Sequence, residues 1–79
     1  MPYVKQQYRD LLVRETPKNP GELNYCITEL LIGYIHDRGL CYATINDVLG
    51  ALSGATQEFY RRVAAPYEDE KIKENGDVY

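Results

Sequence analysis

The sequence predicts an all-α fold, a small bundle of three to four helices that assembles as a homo-oligomer. Three observations carry this reading. Apolar residues recur at helical spacing along most of the chain. Two proline-bearing breaks are each followed by residues that start helices. No run alternates apolar and polar residues long enough to make a strand.

The first element is expected over about 4–14, where Val4, Tyr8, Leu11 and Leu12 share a face and Lys5, Gln6, Arg9 and Asp10 take the other side. Thr16-Pro17-Lys18-Asn19-Pro20 then breaks the chain, because two prolines so close cannot lie inside a helix. Asn19-Pro20-Gly21-Glu22 opens the second helix, expected over 20–38. Asn19 supplies the cap, Pro20 sits where no N–H is needed, and Glu22 completes a capping-box pattern. Leu23, Ile27, Leu30, Leu31 and Tyr34 form its main stripe, and Gly39 stops it. Tyr25, Glu29, Ile32 and His36 fall together on another side, and this second partly apolar patch points to contact with another subunit.

Thr44 followed by Asp47 repeats the capping logic and predicts a third helix over 44–64. Ile45, Val48, Leu49, Leu52, Phe59 and Val63 make its apolar face. Gly50 and Gly54 lie one turn apart inside it, and each costs about 0.5–1 kcal/mol relative to alanine. Close helix packing is the first explanation, and a ligand against bare backbone is the second. Ala65-Pro66 is expected to end this helix and to begin a fourth over 66–74, with Glu68, Asp69 and Glu70 in its first turn and Lys71 and Lys73 in its last. Asn75-Gly76 closes it.

With 79 residues the chain is read as one helical domain. So short a chain buries only about 60–65% of its unfolded surface, which makes self-association the expected source of further burial. Cys26 and Cys41 are too few for a disulfide scaffold and are expected to be reduced and buried as small hydrophobes. The stretch MPYVKQQYRD has no apolar run suited to targeting or spanning a membrane, so a cytoplasmic setting is expected. Net charge is −3, and the basic residues are dispersed apart from Arg61-Arg62. A nucleic-acid polymer partner is therefore disfavoured, since duplex binders show a basic stripe along the phosphates. A small anion needs only two or three donors. Eight tyrosines stand against one phenylalanine and no tryptophan, a balance that suits interfaces and core edges.

Catalytic chemistry is not expected. His36 is the single histidine and lacks an evident acid–base partner. His36, Cys26 and Cys41 do not match zinc spacing, and Glu68-Asp69-Glu70 has no calcium-loop glycine, so neither metal nor cofactor is expected. Ser53 lies inside a helix without a nucleophile elbow.

GELNYCITELLIGYI, then Cys41 ahead of YATINDVLGAL, then EFYRRVAAPYEDEKIKENGDVY, resemble a family of short proteins encoded by phages, prophages and bacteria. The resemblance covers about Pro20 to Tyr79 and transfers no activity and no functional residue. A phage setting suggests by analogy a protein that sequesters a small anionic nucleotide used as an immune signal, an anti-defence role in the host cytoplasm. The alternative is a protein–protein module, either an inhibitor of a host protein or a small structural or regulatory phage protein. On the nucleotide reading the expected site is Tyr60, Arg61, Arg62, Tyr67 and Lys71, with Tyr25 from a neighbouring subunit. Arginine offers a planar fork for phosphate, and tyrosine a ring for base stacking. The bland reading competes closely: Tyr60 packs beside Phe59, Arg62 pairs with Glu58 one turn back, and Tyr67 pins the tail helix.

Overall fold

The computed structural model describes residues 16–79, and the helix expected over 4–14 lies outside the described residues. Every regular element among the described residues is helical: α1 (Pro20–Arg38), α2 (Tyr42–Phe59), a π-turn (Tyr60–Ala64) and α3 (Ala65–Asn75). Two compact units are distinguished, one ending at Leu49 and the other running from Gly50 to Tyr79.

In the first unit, α1 begins where its local chemistry places it. Asn19 is extended (φ −154°, ψ 170°), and its Oδ1 accepts the Glu22 N–H at 2.8 Å. The Glu22 carboxylate reaches back one residue further than a capping box, accepting the Lys18 N–H at 3.0 Å and the Asn19 side-chain amide at 3.1 Å. At the other end Gly39 takes φ +92°, a conformation L side chains rarely adopt, and its N–H closes the last turn on the Ile35 carbonyl.

The start of α2 corrects the sequence reading. The helix begins at Tyr42, so Thr44 is its third residue and not its cap. Cys41 takes the capping place, since its carbonyl accepts the first helical bond, from the Ile45 N–H at 3.0 Å. The Thr44 hydroxyl folds back over this elbow. Its Oγ1 accepts the Cys41 N–H at 3.1 Å and lies 2.7 Å from the Gly39 carbonyl and 3.0 Å from the Cys41 carbonyl, so its one proton serves these two acceptors. Tyr34 Oη donates to Asp47 Oδ2 at 2.8 Å and ties the end of α1 to the first turns of α2.

In the second unit, helix continues through the position where a break was expected. Pro66 does not end the helix at Ala65. The chain widens into the π-turn and passes directly into α3. Gly76, at φ +84°, then closes α3 on the Ile72 carbonyl.

Burial gives the second correction. Among the described residues no hydrophobic side chain is buried, and Thr44 alone is buried at all. Leu31, Tyr34 and Ile35 of α1 and Val48 and Leu52 of α2 are half-buried. Leu30, Leu49 and Phe59 are more than half exposed, although each lies on the stripe expected to face a core. Cys26 and Cys41 are free and exposed, not buried, because no core encloses them among the described residues.

Candidate functional site

The π-turn and α3 carry five of the six residues singled out by the sequence. Tyr60, Arg61 and Arg62 occupy the wide turn itself, and Tyr67 and Lys71 follow on α3. Tyr25 lies on α1, in the other compact unit, and is exposed.

Glu58 organises the arginines. Arg61 Nη2 meets its two carboxylate oxygens at 3.3 and 3.1 Å, and Arg62 Nε donates to Oε2 at 2.7 Å. The spacings are i,i+3 and i,i+4, which place side chains on neighbouring parts of a helical surface. Hydrogen bonds from Arg62 first and then Arg61 hold the Glu58 carboxyl below the usual carboxylate range. An anion approaching this pair of guanidiniums meets a carboxylate already seated between them. The pairing of Arg62 with Glu58 was readable from sequence; the sharing of Glu58 with Arg61 was not.

The aromatic residues take other partners. Tyr60 Oη makes a long contact of 3.4 Å with Glu68 Oε2, and the Lys71 ammonium stands 5.4 Å over the Tyr67 ring while reaching Glu74 at 3.2 Å. Five of the site residues are therefore present in three small groups, Arg61–Glu58–Arg62, Tyr60–Glu68 and Tyr67–Lys71–Glu74. Beyond them Lys71, Ile72, Asn75 and the last residues to Tyr79 line a shallow, open groove of about 350 Å³.

A third group was not singled out by the sequence and sits at the elbow of the other unit. The Cys41 thiol is held below its ordinary range, first by the Thr44 backbone N–H and then by the Thr44 hydroxyl at 3.6 Å. The Tyr34 phenol is pushed up, chiefly because it donates to the Asp47 carboxylate, while Arg38 stands 4.9 Å over its ring. Cysteine at a helix start was the available signal.

Among the described residues no group of three or more histidines, cysteines and acids is placed to hold a metal ion. No described helix is long and apolar enough to cross a membrane. A family model for a domain of unknown function, DUF6899, matches residues 1–78. The chain belongs to the DUF6899 family. The match takes in the N-terminal segment as well as the region from Pro20 onward. No curated protein and no solved structure matches this DUF6899 chain.

Proposed function

We propose that this chain is a non-enzymatic interaction module whose helices are completed by protein partners, copies of itself first among them. The observation that carries this is the exposure of its apolar stripes: Leu30 is 67% exposed and Phe59 64%, with no buried hydrophobic residue among the described ones. Folding draws its main favourable term from apolar burial, and ordering each residue costs about 1–2 kcal/mol against it. Helices that leave their stripes in water gain little of that term until another surface covers them. Within this reading a phage or prophage setting and a bacterial cytoplasmic location go with the role of a host-protein inhibitor or a small structural or regulatory component.

Sedimentation of the purified chain across the micromolar range tests the self-association. The expected result is a concentration-dependent oligomer whose melting temperature rises with protein concentration. A monomer that melts cooperatively at one temperature at all concentrations overturns it.

Sequestration of a small anionic nucleotide is the second reading, favoured by the pairing of the Tyr67 ring with the Lys71 ammonium, an aromatic face and a cation together. It requires a phosphate to displace Glu58 from Arg61 and Arg62 or to use Lys71 alone. A panel of cyclic and linear nucleotides in a thermal-shift assay separates the two readings. A true ligand at a hundred times its dissociation constant stabilises the fold by about 2.7 kcal/mol; Arg61→Ala should abolish that shift where the phosphate displaces Glu58, and Lys71→Ala where Lys71 alone holds it, each leaving the helical content unchanged.

A further inference from the structure

A proline inside a helix lacks the N–H that would bond four residues back, and its ring collides with the carbonyl at that position. For Pro66 that carbonyl belongs to Arg62. Helix nevertheless runs unbroken from Tyr42 to Asn75, because the segment ahead of the proline is a π-turn. Its mark is the Ala65 N–H, which is donated to the Tyr60 carbonyl five residues back, one residue beyond the four of a regular α-helix.

A turn that absorbs one extra residue sets everything after it back by one residue, about 100° of rotation. The side chains agree. Tyr60 and Glu68 are eight residues apart, yet Tyr60 Oη lies 3.4 Å from Glu68 Oε2. In a regular α-helix, residues eight apart point about 80° away from each other, whereas residues seven apart differ by only about 20°. The setback gives Tyr60 and Glu68 the seven-residue relation. The same arithmetic applies to Phe59 and Tyr67, both well exposed.

We infer that Pro66 is a register lock: by disfavouring the regular helical bond ahead of it, it holds the π-turn and so fixes the rotation of α3 relative to the end of α2. In this register Tyr60 meets Glu68, and Tyr67 follows Phe59 along one side. In the α register, which Pro66 disfavours, α3 turns by about 100° and the contact between Tyr60 and Glu68 is lost. This inference goes beyond the proposed function and does not depend on it.

Through-hydrogen-bond couplings in the isotope-labelled chain test it directly. The wild type is expected to couple the Ala65 amide to the Tyr60 carbonyl. Pro66→Ala, which supplies the missing N–H and removes the ring, is expected to shift that coupling to the Arg61 carbonyl and to lose the contact between the Tyr60 ring and the Glu68 side chain. Tyr60→Phe is expected to keep the wild-type coupling. The inference is overturned if the wild type already pairs Ala65 with Arg61, or if Pro66→Ala keeps the Tyr60 pairing. It is overturned equally if Tyr60→Phe alone collapses the turn, since the lock would then be the tyrosine contact.

Discussion

Replacing Thr44 with valine removes one hydroxyl from the best-buried position among the described residues, 7% exposed, and nearly preserves the side chain's shape. Three groups lose a partner: the Cys41 N–H, 3.1 Å from Oγ1, and the Gly39 and Cys41 carbonyls at 2.7 and 3.0 Å. Loss of a helix-start side-chain bond costs about 0.5–2 kcal/mol, and a polar group left unpaired away from water costs about 1–3 kcal/mol. Gly39 and Cys41 are themselves exposed, so water replaces part of what is lost. The net expectation is about 2 kcal/mol, or a fall in melting temperature of about 8–16 °C for a chain of this size. Far-UV circular dichroism reads it, at one fixed protein concentration because association also moves the midpoint. Thr44→Ser keeps the hydroxyl and should recover most of the loss. A valine variant that melts within about 1 °C of wild type refutes the reasoning, and the elbow is then held by something other than this hydroxyl.

The Cys41 thiol, lowered from its ordinary 9.0 by the Thr44 N–H and hydroxyl, should be alkylated in a Cys26→Ser background with a pH midpoint below that value; Thr44→Val should raise the midpoint only part-way, since the backbone donor remains. Glu58 has its folded pKa lowered from 4.5, so its contribution to stability is present above that value and is lost as pH falls through the lower folded one; Glu58→Gln should flatten the acid limb of a melting-temperature profile, and an unchanged limb would show that the Arg62 and Arg61 bonds contribute nothing. Gly50→Ala and Gly54→Ala each add a Cβ that meets nothing within 4 Å, so each should stabilise the helix by about 0.5–1 kcal/mol in denaturant titration. A loss of stability or of assembly there would mean that a neighbouring chain lies against bare backbone.

Local chemistry was legible where it closes within four residues. Asn19, Pro20, Glu22 and Gly39 fix the ends of α1 by bonds among themselves and their immediate neighbours, so composition alone places them. The start of α2 was misread for a physical reason. A threonine near a helix start reads as a cap, and a cysteine does not. Here the decisive contact is the Thr44 hydroxyl returning to the Gly39 carbonyl, five residues back, which no local pattern specifies. Pro66 was misread because a proline admits two outcomes, a break or a widened turn, and the choice depends on whether the helix beyond it is worth continuing. For the candidate site, the spacing of Glu58 and Arg62 gave one ion pair; the second, to Arg61, depends on a rotamer that brings both guanidiniums to one carboxylate.

Periodicity reports which faces avoid water, and it is silent about what covers them. The stripe Leu23, Ile27, Leu30 on α1 and the face Ile45, Leu49, Phe59, Val63 along α2 and its π-turn were read correctly as apolar faces, yet each of these residues is more than a third exposed. Reading them as a bundle core assumed that a helical stripe finds its cover within its own chain. The same pattern serves equally well when the cover is another chain. A stripe covered within one chain gives a stability independent of concentration; a stripe covered by a copy gives one that rises with it. For this protein the concentration dependence of unfolding is therefore the quantity that connects sequence pattern to function, because it says whether these faces are a core or an interface.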